Sequence, residues 1–170
     1  MEKEYIPAVV GLPDDSTISC PANGSPEEGR EILFHWLTKT NLPFCALLGD
    51  YGMGKTFLCR MFARRLQEQK QQDPDLPAPL YLDMRNLPTW NDNRIPELEE
   101  MLQAMTSKAG FSDISIAGIL SAVHQGHVLL IFDGFDEKAT HLTDAQSAEL
   151  LRNIRQAVPV GTKGKLLLTC

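Results

Sequence analysis

Long apolar runs are absent from this 170-residue chain: even Val128 to Phe132, unsurpassed in length, falls far short of the roughly 20 residues a membrane helix requires. Positive charge is also in short supply. Lys and Arg number 16 against 22 Asp and Glu, and a net charge of -6 argues against a chain-wide attraction to nucleic acid or an anionic membrane. Cysteine is limited to Cys20, Cys45, Cys59 and Cys170, with no Cys-x-x-Cys pair, so buried or idle thiols are expected rather than a zinc site or a disulfide framework. The four histidines, His35, His124, His127 and His141, show no metal-ligand spacing. The start, Met-Glu-Lys-Glu-Tyr, lacks the apolar core of a secretory signal, and a cytoplasmic location is expected. What is present, 43% hydrophobic and 22% charged residues, is close to the globular average and excludes a disordered or low-complexity protein.

Breakers dominate the beginning of the chain. Pro7, Gly11, Pro13, Pro21, Gly24 and Pro26 predict an irregular arm over residues 1–25, in which only Tyr5 to Val10 resembles an extended segment. A domain over residues 26–170 follows. Its first helix starts at Pro26, with Ser25 as the expected cap, acids at Glu27 and Glu28, and Ile32, Leu33, Trp36 and Leu37 at helical spacing. Strands are predicted at Phe44 to Leu48, Leu80 to Met84, His127 to Phe132 and Lys165 to Thr169. Helices are predicted at Lys55 to Gln71, Ile95 to Lys108, Ser115 to His124 and Thr143 to Ala157. This alternation calls for an α/β fold with a parallel sheet covered on both faces.

Gly49-Asp50-Tyr51-Gly52-Met53-Gly54-Lys55-Thr56 matches G-x-x-x-x-G-K-[ST] and lies between a predicted strand and a predicted helix. The glycines let backbone N–H groups approach phosphate oxygens at a helix N-terminus. Lys55 has the reach to meet the β- and γ-phosphates, and the Thr56 hydroxyl is placed to ligate Mg²⁺. A second motif ends the strand before it: Val128-Leu129-Leu130-Ile131-Phe132-Asp133, then Gly134-Phe135-Asp136-Glu137 on the loop. In open parallel sheets ligands sit beyond the carboxyl ends of the strands, so this cluster and the phosphate loop are expected to share one cleft. Asp133 is then the outer partner of Mg²⁺, and Asp136 and Glu137 are candidates to orient the water that attacks the γ-phosphate.

These two motifs, Leu48 to Thr56 and Leu130 to Glu137, resemble those of the NACHT family of signal-transduction NTPases with numerous domains (STAND), which includes animal inflammasome receptors and bacterial antiviral sensors. The small residue after the first Asp, with a second acid two residues on followed by Glu, is the NACHT-like form of the Walker B element. The resemblance implies a three-layer P-loop NTPase fold of the ASCE type with strand order 5-1-4-3-2, the four predicted strands being the first four. It further implies bound ATP or ADP with Mg²⁺, a regulated ATPase switch, homo-oligomerisation, and a role in innate immune or anti-phage defence. Tyr5-Ile6-Pro7 resembles the segment with which many bacterial NACHT modules begin, and the family's arm implies base contacts there. Since the family's fifth strand, later domains, effector and sensor are not among these residues, the reading expects a piece of a longer protein, with the first strand left as an exposed apolar edge.

Two other functions fit the same motifs. One is a motor or loader ATPase of the AAA+ type acting on nucleic acid; the other is a module that holds nucleotide with little hydrolysis. Arg60, Arg64 and Arg65 stand among acids and glutamines, so a solvated helix face is expected there. Trp36 and Phe34 read as core.

Overall fold

Alternation of side chains decides the architecture. In strand β5 (Val128–Asp133) Leu129 and Ile131 face one way, Leu130 and Phe132 the other, and all four are buried, so both faces of the sheet need cover. The computed structural model describes residues 9–11, 17–19, 26–88, 94–111 and 113–170. Its sheet contains β1 (Val9–Gly11), β2 (Thr17–Ser19), β3 (Phe44–Leu48), β4 (Ala78–Asp83), β5 and β6 (Lys165–Thr169), in the spatial order β2-β1-β3-β6-β5-β4. β3, β6, β5 and β4 are mutually parallel, and their order, first-fourth-third-second among these four, is the one expected.

Helices α1 (Pro26–Lys39) and α2 (Lys55–Lys70) cover one face, where Trp36, Phe62 and Leu66 meet Cys45, Leu47, Ile131 and Leu167. Helices α3 (Leu98–Lys108), α4 (Ile116–His124) and α6 (Asp144–Arg155) cover the other, where Met101, Val123 and Ile154 meet Leu130, Phe132, Leu166 and Leu168. A short helix, α5 (Phe135–Ala139), follows β5. Lys165 at the start of β6 ties the layers together: its amine donates to the carbonyls of Trp36 (2.6 Å) and Thr40 (2.7 Å) at the end of α1. Burial lowers its pKa to about 8.

Three expectations change. The helix foreseen from Ile95 begins at Leu98, because Ile95 precedes Pro96 and is steered away from helical backbone, and Glu97 with Glu100 forms the capping box instead. Asp136 and Glu137 lie on α5 rather than on a loop, since Gly134 takes a positive φ (85°) and turns the chain directly into a helix. The stretch read as an irregular arm contains two short strands, and the edge of β3 expected to be bare is paired antiparallel with β1, Val10 opposite Leu47. Tyr5, Ile6, Pro7 and Ser25 lie outside the described residues. Among the described residues no helix is long and apolar enough to cross a membrane.

Because β1 is hydrogen-bonded on both sides, Val10→Pro removes a ladder bond whichever way its N–H faces. The expected cost is about 1 kcal/mol, or roughly 3 °C in Tm, with earlier onset of aggregation from the uncovered β3 edge. A thermal melt followed by light scattering checks this; an unchanged melt would show that β1 adds nothing to the sheet's stability.

Candidate functional site

All four parallel strands deliver their carboxyl ends to one side of the sheet, and register sets which residues meet there. Asp83 of β4 stands opposite Asp133 of β5, Phe132 opposite Leu168 of β6, and Leu47 of β3 opposite Thr169. The loop after β3 turns through Gly52 and Gly54, both at positive φ (84° and 83°), into α2, whose N-terminus has no side-chain cap. Its first amides are therefore left for another partner. A cleft of about 480 Å³ opens over this loop, bordered by Thr56, Gly134, Asp136, Glu137 and Thr169. A groove of similar size, about 510 Å³, lies at the opposite end of the strands and shares none of these residues.

Lys55 is nearly buried, and its amine donates to the carbonyls of Gly49 (2.5 Å) and Asp50 (3.2 Å) while pairing with Asp136 Oδ2 at 3.0 Å. Thr56 Oγ1 donates to Asp133 Oδ1 at 3.1 Å, which leaves the lone pairs of the hydroxyl free for a cation. Asp133 is wholly buried. Thr169 donates to the same oxygen at 2.7 Å, and Gly134 N–H donates to Thr169 at 2.8 Å. Gly49, Asp50, Tyr51, Gly52, Met53 and Gly54 form the loop as the motif implies, with Tyr51 almost fully exposed. Thus Lys55, Thr56, Asp136 and Glu137 line one cleft, and Asp133 lies buried beneath it, bonded to Thr56.

Four further residues belong to this constellation. Tyr81 donates its phenol proton to Asp133 Oδ2. Asp83 receives a two-pronged bond from Arg85, Nε at 2.7 Å and Nη2 at 2.6 Å, and the same guanidinium lies 3.7 Å from Asp133 and 3.8 Å from Glu137. Thr169 is the fourth. Of the three arginines on α2, Arg64 and Arg65 pair with Glu68 as a solvated face should, whereas Arg60 turns to the cleft and donates to the Tyr81 oxygen at 3.2 Å. The strand-end rule that flagged Asp133 applies equally to Asp83, one residue from the end of the predicted second strand; nothing local marks Tyr81 or Thr169.

The described thiols, Cys45, Cys59 and Cys170, take no part in this chemistry. Burial pushes Cys45 and Cys59 far up and Cys170 up to about 11, so none is a thiolate near neutral pH. Among the described residues no group of three His, Cys, Asp or Glu has the geometry to hold a metal ion by itself. The donors near Thr56 and Asp133 are all oxygen, which suits Mg²⁺: it keeps several waters and takes few protein ligands. The donor set fits that ion.

A strand, a glycine-rich loop carrying Lys-Thr, a helix, and an acid ending the third parallel strand define a nucleotide-binding module of the P-loop NTPase class. Residues 44–170 match the NACHT domain, and the chain belongs to that family. No curated protein matches the chain. Among solved structures it is similar to the ORC2 protein of Aeropyrum pernix in its ADPNP-ADP complexes, at 19% identity and a TM-score of 0.47, covering 85% of this chain and 40% of that one. The ADP form of the same protein gives 19% and 0.47, covering 83% and 39%. The chain thus spans about two fifths of the length of these structures.

Burial pushes the Asp83 carboxyl up, but the Arg85 side-chain and backbone donors outweigh it and hold the acid below its ordinary value. This contribution to stability is therefore present above about pH 4 and is lost as pH falls through the lowered folded value. Arg85→Met is expected to cost about 1–2 kcal/mol at pH 7 by urea denaturation. The gap between variant and parent should narrow below about pH 4; a gap independent of pH would show that the loss is of packing, not of charge.

Proposed function

We propose that the chain binds ATP and ADP with Mg²⁺ on residues 49–56 and hydrolyses ATP slowly, as the nucleotide-binding part of a regulated switch. The observation that carries this reading is the convergence of Thr56 on Asp133 beside Lys55, at the uncapped start of α2. Glycine-lined amides and the Lys55 amine suit the phosphates; Thr56 suits the metal directly, and the buried Asp133 suits it through Thr56. Bound there, the metal would neutralise charge on the β- and γ-phosphate oxygens. Glu137, one-third exposed and near Arg85, is the proposed residue that orients the attacking water. Asp136 has a second part, as the counter-ion that Lys55 must leave to meet a phosphate.

In a longer NACHT protein, ATP and ADP would favour different arrangements of neighbouring domains, so that exchange or hydrolysis resets a two-state assembly. We further propose homo-oligomerisation as the output and cytoplasmic defence signalling, innate immune or anti-phage, as the setting. Family membership supports this part.

Calorimetric titration with ATP and ADP, with and without Mg²⁺, tests the site. Lys55→Ala is expected to weaken binding roughly 10- to 100-fold, the loss of a charge-assisted contact. Glu137→Gln should retain binding and lose phosphate release. Equal binding by Lys55→Ala and the parent chain would sink the proposal, and assembly of the longer protein that ignores Lys55→Ala in light scattering would sink the switch.

A further inference from the structure

A carboxylate without access to water is tolerated only where donors meet both of its oxygens. Asp133 Oδ1 takes the hydroxyl protons of Thr169 and Thr56, at 2.7 and 3.1 Å. Oδ2 takes the phenol proton of Tyr81, with the Arg85 guanidinium 3.7 Å away. A second bond fixes the direction of two of these protons. Gly134 N–H occupies a lone pair of the Thr169 oxygen, so Thr169 donates to Asp133. On the other side Arg60 Nε–H occupies a lone pair of the Tyr81 oxygen at 3.2 Å, with its guanidinium 5.6 Å from the ring centroid. The single phenol proton is thereby directed at Oδ2.

We propose that Tyr81, aimed by Arg60, is a positioning residue that fixes the rotation of the Asp133 carboxylate, holding its Oδ1 on the Thr56 hydroxyl proton and so keeping the lone pairs of that hydroxyl turned to a divalent cation. This rests on the phosphate-loop reading above. The neutrality of the donor is the central point. If the phenol is removed, the groups nearest to Oδ2 that can replace it are cations: Arg85, and Arg60, which already lies 4.0 Å from Asp83. A guanidinium drawn onto Asp133 repels a metal ion there, whereas a phenol supplies a proton without adding charge. Tyr81 therefore satisfies the acid while leaving its negative charge available to the metal.

The test is Mn²⁺ titration of the whole chain by electron paramagnetic resonance, with and without ADP, comparing the parent, Tyr81→Phe and Arg60→Gln. Tyr81→Phe deletes one oxygen and keeps the ring packed against the α1–α2 side of the sheet. Expected is a roughly tenfold or greater loss of Mn²⁺ affinity, as outer-shell partners of metal sites typically show, with ADP binding in metal-free buffer unchanged. Arg60→Gln should show a smaller loss in the same direction. Parent-like Mn²⁺ binding by Tyr81→Phe overturns the proposal, and so does an equal fall in metal-free ADP affinity, which marks a general structural loss. If the parent binds Mn²⁺ but no ADP, the nucleotide reading fails while the Tyr81 comparison is decided on Mn²⁺ alone. If the parent binds Mn²⁺ under neither condition, both fall.

Discussion

A negative charge enclosed in protein costs several kcal/mol unless its surroundings answer it, and Asp133 at the end of β5 is enclosed completely. The geometry of the site follows from that constraint. β4 supplies Tyr81, β6 supplies Thr169, α2 supplies Thr56, and Gly134 orients Thr169 in turn. Each donor reaches the acid only if its strand or helix sits in the observed register, so a slip of one residue in β4 or β6 would turn Tyr81 or Thr169 to the other face of the sheet. The acid thus selects one alignment of three strands, and the same alignment places the phosphate loop beside it.

The cations of the cleft already have anionic partners. Lys55 is matched by Asp136, and Arg85 is shared among Asp83, Asp133 and Glu137. A phosphate entering such a site exchanges one anionic partner of Lys55 for another rather than meeting a bare cation. Net attraction then depends on charge brought with the nucleotide, which accords with a metal-accompanied ligand and with an acidic chain overall.

Much of this is legible in the sequence, for physical reasons. Phosphate binding needs backbone amides brought close and a lysine at a fixed offset, so the loop at 49–56 is a contiguous signal. The buried strands betray themselves by apolar runs, and the helix faces by their period. Tyr81 and Thr169 stayed hidden because their role exists only across strands, between residues 52 and 36 positions apart from Asp133. Sequence groups Arg60 with Arg64 and Arg65, and it is exposed as they are, yet one helical turn beyond Thr56 it borders the cleft. The β1–β2 pair escaped because three-residue strands among prolines and glycines carry little periodic signal.

The order of strands in space also bears on how the chain is made. β6 is the last strand in sequence but occupies a central place, between β3 and β5. Roughly 120 residues separate it from β3, which at ribosomal speed is on the order of ten seconds. Over roughly the last 30 residues of that interval β3 and β5 have both emerged with the slot between them unfilled, each presenting unpaired amides flanked by apolar side chains. Assembly of the sheet therefore waits on the fourth parallel strand, and the nascent protein depends on its surroundings to keep those two strands from other partners until it arrives.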